Sequence, residues 1–95
     1  MQIYEFQEMM KRLYFKRDKA RGIEGNCDWL VDEIRELEEA LKSNKREEAE
    51  TEFADVLAWL ASLANTVGVD LERAALGKYN NVCPKCGCCP CRCSF

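Results

Sequence analysis

Residues 26–70 read NCDWLVDEIRELEEALKSNKREEAETEFADVLAWLASLANTVGVD, and the spacing of their apolar positions decides the fold. Leu30, Ile34, Leu37 and Leu41 recur every three or four residues; after the polar Ser43-Asn44, the pattern resumes with Phe53, Val56, Leu57, Leu60, Leu63, Ala64 and Val67. That period lines one face of an α-helix, so two amphipathic helices joined by a short turn are expected. The first should begin near Asn26 to Asp28 and run to about Lys42. The second should follow Asn44, whose spacing to Glu47 matches a capping box with Asn in place of Ser or Thr, and extend to about Thr66. Gly68 should stop it, and Asp70 should cap a shorter helix through about Tyr79.

Upstream, Ile3, Phe6, Met10, Leu13 and Tyr14 mark a helix over about residues 3–21, broken by Gly22 and Gly25. No strand pattern competes. The expected architecture is all-α, a bundle of about four helices over residues 1–80, followed from Pro84 onward by a cysteine-rich tail within residues 81–95. At 95 residues the chain offers only a small core, while Trp29, Trp59, Tyr4 and Phe15 carry large apolar surfaces. A homo-oligomer, dimer or tetramer, is therefore expected.

Composition narrows the function classes. With 47% apolar and 33% charged residues the chain is neither disordered nor fibrous. It has no apolar run near the roughly 18 residues of a membrane span. Charges interrupt the apolar positions of MQIYEFQEMMKRLYFKR, unlike an export signal, so a cytoplasmic location and no membrane partner are expected. The net charge of −3 hides an asymmetry: residues 24–55 hold twelve acids against four bases, and the remainder is basic. A pI near 5.0 has the wrong sign for general phosphate-backbone binding, which argues against a nucleic-acid partner. Six bases between Lys11 and Arg21 leave room for a local anion contact.

Within the acid block, Glu33 and Glu36 share one flank of their helix's apolar stripe, about 60° and 120° round from Leu30 at 100° per residue. Glu52 and Asp55 lie beside the stripe of the next helix, again three residues apart. Two helices packed stripe to stripe bring these four carboxylates toward one groove, where they must stay solvated, take up protons or bind a cation. Magnesium suits an all-oxygen ligand set, and the absence of histidine argues against zinc or iron there. Glu38, Glu39, Glu47, Glu48 and Glu50 read as solvated acids.

The stretch DEIRE at 32–36, followed by EFAD at 52–55, resembles the E-E-x-x-E and E-x-x-D motif pair of the MazG-type all-α nucleoside triphosphate pyrophosphohydrolases. RDKARGIEGNCDWLVDEIRELEEAL and EFADVLAWLASLANTVGVDLERAALGKY are similar to that family's pattern across roughly residues 10–80. The resemblance implies magnesium-dependent cleavage between the α and β phosphates, with manganese as a substitute ion, releasing a nucleoside monophosphate and pyrophosphate. It implies Glu33, Glu36, Glu52 and Asp55 as metal ligands and Lys78 as a phosphate contact. Arg17 and Arg21 are further phosphate candidates, Trp59 could stack a base, and Asp32 or Glu36 could accept a water's proton. Asp32 stands where the family pattern has glutamate, and Asn80-Asn81-Val82 departs from the Asp-x-Asn element of related members.

The tail carries Cys83-x-x-Cys86, Gly87 and Cys91-x-Cys93, with Cys88 and Cys89 between. Four thiolates at this spacing suit a structural zinc knuckle; disulfides and a free thiol-rich tail are the alternatives. A knuckle also frames a rival reading, a catalytically inactive MazG-like module that docks a protein or nucleic acid. Cys27 reads as a small buried hydrophobe.

Overall fold

The computed structural model describes residues 1–94, which include the tail apart from position 95. Three helices follow in order: α1 (Ile3–Lys42), α2 (Arg46–Val67) and α3 (Leu71–Lys78). Among the described residues there is no strand, and no single helix is long and apolar enough to cross a membrane. α1 folds back on α2 through the turn at 43–45, and α3 docks on the N-terminal part of α1.

The first two expected helices form one element with a kink at Gly22, where φ 79° and ψ 179° leave the helical region. That conformation is almost exclusive to glycine. Gly25, expected as a second breaker, stays helical; a Cβ there would lie 2.5 Å from Arg21 Cγ, so its hydrogen leaves room for the Arg21 side chain. Asn26 is not a helix-start acceptor but a donor. It is completely buried, and its Nδ2 donates to the carbonyl oxygens of Asp18 (2.8 Å) and Gly22 (2.7 Å) and to Thr66 Oγ1 (3.3 Å). The Asn26 amide thereby supplies a side-chain donor to backbone carbonyls before and at the kink. Its Oδ1 accepts from Arg21 Nη1 at 3.0 Å, and the same nitrogen donates to Asp18 Oδ1 at 3.0 Å.

The helix ends follow local chemistry. Gly68 closes α2 in the left-handed region (φ 73°), with Val69 N–H donating to Ala64 O at 2.9 Å, as expected. Asp70 caps α3 by accepting from Arg73 N–H at 3.1 Å. Asn44 behaves differently from its expected capping role. It adopts φ 56° and terminates α1, while Lys45 N–H donates to Ala40 O at 3.0 Å and Lys45 itself stands at the start of α2. Asn tolerates left-handed backbone nearly alone among residues with side chains, which suits it to ending a helix here.

The stripes expected to form a core are only partly covered. Met10, Ala40, Ala49, Ala61 and Ala64 are the buried apolar residues, whereas Ile34, Leu41, Phe53, Leu57, Leu60 and Val67 are 40–55% exposed. Ile3, Leu13 and Tyr14 of the first stripe are exposed too, and Cys27 is half-buried. The reason is geometric: alanines allow close approach of the two helices, and the larger side chains project past a single seam. The radius of gyration, 15.5 Å, exceeds the about 12 Å of a compact chain of this length.

Replacing Asn26 by Ala removes the side-chain donor to two backbone carbonyls and one of the two acceptors of Arg21 Nη1. Asn26→Ala should lower unfolding stability by about 2–4 kcal/mol. Urea denaturation checks this, and a midpoint matching the parent protein would remove Asn26 from its place in the kink.

Candidate metal centre

Beyond the kink, α1 points Glu33 and Glu36 toward α2, which presents Glu52. One carboxylate oxygen from each of the three lies within 4.8 Å of the others. Glu33 and Glu52 are half-buried, and their Oε2 atoms are shielded from water without a hydrogen-bond partner. Burial raises the Glu33 pKa to about 7, helped by the neighbouring carboxylates of Glu52, Glu36 and Asp55.

The surrounding bases do not relieve this crowding. Arg35 faces Asp32 (3.9 Å), Lys42 faces Glu38 (3.4 Å), Lys45 faces Glu48 (3.9 Å) and Arg46 faces Glu50 (3.9 Å), all at the exposed surface. Such solvated pairs contribute little to stability. Glu38, Glu39, Glu47, Glu48 and Glu50 are exposed, in keeping with the reading of them as solvated acids.

Asp55 lies outside the tight trio, one helical turn along α2, yet close enough to act on Glu33 through its charge. It opens onto a cleft of about 280 Å³ lined also by Tyr14, Arg17, Asp18, Arg21 and Trp59. Trp59 stacks on Trp29 with ring centroids 5.5 Å apart and planes 6° from parallel, and the Arg21 guanidinium sits 4.8 Å from the Trp59 ring centre. Arg21 is thereby engaged with Asp18, Asn26 and Trp59, whereas Arg17 is exposed at the rim.

Two candidates are not brought to the trio. The Asp32 carboxylate is exposed beside Arg35. Lys78 is exposed at the end of α3, its Nζ 5.7 Å from the Tyr79 ring centre, and α2 continues for about 18 Å beyond Asp55 before α3 begins. Asp18 and Gln7, which order this region, escaped the sequence reading, and Asn26 was read only as a candidate helix start. Gln7 Nε2 donates to Asn65 Oδ1 (3.0 Å) and Val69 O (2.7 Å), and its Oε1 accepts from Leu71 N–H (2.9 Å), fastening α3 to α1. Only the glycine break at 22 hinted that a buried polar group would be needed nearby.

The tail forms a second cluster. Sγ atoms of Cys83, Cys86, Cys91 and Cys93 lie within 4.8 Å of one another, and all seven cysteines are free. Backbone N–H groups of Arg92 and Cys88 bring the Cys86 thiol down to about 6, and those of Cys86 and Lys85 lower Cys83. The Cys91, Cys83 and Cys86 sulfurs push Cys93 up to about 11.

Glu33 yields a pH signature. Its folded pKa of about 7 lies above the unfolded 4.5, so its contribution to stability is complete below pH 4.5 and is lost as pH rises through 7. With divalent ions chelated, the melting temperature should fall across that window, Glu33→Gln should flatten the fall, and added Mg²⁺ should reverse it at the alkaline end. A metal-free melting temperature flat across the window would refute the crowding.

No curated protein is similar enough to the chain to count as a match. The sequence profile of the MazG nucleotide pyrophosphohydrolase domain matches residues 21–87, which take in both arms of the acidic cluster, the Trp pair and all of α2 and α3. Covering well over half the chain and agreeing with its all-helical fold, this match makes the chain a member of the MazG nucleotide pyrophosphohydrolase family.

Proposed function

We propose that this chain is a magnesium-dependent nucleoside triphosphate pyrophosphohydrolase that cleaves between the α and β phosphates, clearing nucleotides from a cytoplasmic pool. The observation that carries this reading is the trio Glu33, Glu36 and Glu52, with two buried carboxylate oxygens lacking any partner. An all-oxygen site of this charge fits a hard divalent ion. Glu33, Glu36 and Glu52 would hold it, with Asp55 completing the set. Mg²⁺, or Mn²⁺ in its place, would supply neutralisation of phosphate oxygens and a water of lowered pKa.

The chain's own residues do the rest. Glu36 is the exposed member of the trio and takes the proton of the attacking water, a role the position of Asp32 does not suit. Arg17, at the rim of the adjoining cleft, meets the phosphate chain, and Arg21 adds positive charge from its fixed position. The Trp59 ring, held by Trp29 and Arg21, offers an apolar surface beside the nucleotide. Water adds, the P–O bond between the α and β phosphates breaks, and the monophosphate and pyrophosphate leave.

The working unit in this reading is a homodimer or homotetramer of the helical part, residues 1–80, with residues 81–95 as a separate small unit. The half-exposed Ile34, Leu41, Phe53, Leu57 and Leu60 support it, since one chain leaves them uncovered. In such an assembly Lys78, exposed at the end of α3, would meet phosphate from a neighbouring copy.

Incubation with a panel of canonical and modified triphosphates plus Mg²⁺ should release pyrophosphate and a monophosphate. Glu36→Gln and Glu52→Gln should each slow release by about 10²-fold or more with helicity retained. Orthophosphate as the product would refute the bond assignment, and no release from any triphosphate would leave the binding-module reading in its place. Leu57→Glu should shift the mass in light scattering toward a single chain; an unchanged oligomer would take that face out of the interface.

A further inference from the structure

We propose that Cys83, Cys86, Cys91 and Cys93 form a closed structural zinc site, one ion per chain, from which Cys88 and Cys89 are excluded. Zinc–thiolate bonds of about 2.3 Å require sulfurs about 3.8 Å apart along each edge of a tetrahedron. Cys83 and Cys93 sulfurs are 3.6 Å apart, and those of Cys86 and Cys91 are 4.0 Å apart. Disulfides would need about 2.05 Å, so these pairs sit at metal-sharing rather than bonding separation.

The backbone is arranged around the sulfurs. Gly87 takes φ 72° and its N–H donates to Cys83 O at 2.7 Å, closing the loop between the first pair; Cys83 N–H donates to Cys88 O at 2.9 Å. Arg92 N–H points at Cys86 Sγ and Cys93 N–H at Cys91 Sγ, each at 3.3 Å, so backbone donors orient two of the four sulfurs. Cys88 turns its sulfur to the Cys86 carbonyl, and Cys89 is exposed and outside the cluster. Charge points the same way: Lys85 and Arg92 are the only charged side chains in residues 83–94, and their two positive charges balance a divalent ion bound by four thiolates. All four ligands come from protein, leaving no open position for substrate, so the site holds the tail's shape and does no hydrolysis.

The test uses the full chain purified under reducing conditions without chelator or added metal. Elemental analysis should find about one zinc per chain, falling below about a third in Cys83→Ser and Cys93→Ser and staying near one in Cys88→Ser and Cys89→Ser. Cobalt exchanged into the parent protein should give the intense bands of a tetrahedral thiolate site, a readout independent of how the variants fold. Iron in place of zinc, less than about half an equivalent of metal, equal loss in Cys88→Ser, or an intact mass lowered by disulfide formation would overturn the proposal. A zinc-loaded chain that releases no pyrophosphate, or an active chain whose tail is zinc-free, separates this proposal from the hydrolase reading.

Discussion

The amide of Asn26 is the interaction on which the rest of the arrangement depends. A helix of forty residues running straight would carry its two halves along one line, with Arg17 and Arg21 far from the acids of α2. Gly22 lets the chain turn, and Asn26 satisfies the carbonyls of Asp18 and Gly22 while holding Thr66 of α2. The first half of α1 thus lies against the cleft that Asp55 opens onto, bringing bases and aromatic rings beside the carboxylates. Because this junction is polar and its centre, Asn26 and Asp18, is buried, losing one partner leaves several groups unsatisfied together.

Buried oxygens without a partner occur at Asp18 Oδ2 within that frame and at Glu33 and Glu52 of the acidic trio, where several carboxylates crowd together. Acids elsewhere in the same block either face a base at the surface or are fully hydrated, whereas Glu33 and Glu52 each bury an oxygen with no partner. A buried carboxylate stays charged only when something opposes its charge, and here the chain supplies none. The raised pKa of Glu33 and the proposed divalent-ion site are therefore two expressions of one electrostatic deficit.

Much of the backbone was legible because single residues carry the signal. Gly22, Gly68 and Asp70 act through their own φ angle or side chain, and each does in the structure what its type suggests. Asn44 was ambiguous for the same reason: asparagine serves both as a cap at a helix start and as a left-handed terminator, and only the neighbouring backbone decides. The convergence of Glu33, Glu36 and Glu52 followed from helical spacing plus the short turn. Burial was less legible, because an apolar stripe marks a face that wants cover without saying whether the same chain provides it. Asn26 and Asp18 were hidden in the opposite sense. Periodicity weighs apolar positions, so two polar residues as the most enclosed side chains leave no trace in it.

The two clusters also illustrate how ligand chemistry keeps ions apart within a small chain. Carboxylate oxygens at 33, 36 and 52 favour hard ions that retain water, while thiolates at 83, 86, 91 and 93 favour softer ions and leave no position for water. Histidine, which would draw zinc or iron to a carboxylate cluster, does not occur in the sequence. Neither donor set therefore overlaps the other's preference, and the charge around each differs in the same sense. The bases near the trio face other acids at the surface, which leaves its carboxylate crowding unrelieved. In the proposed zinc site Lys85 and Arg92 would offset the charge of four thiolates, which suits a site that is closed and has nothing further to attract.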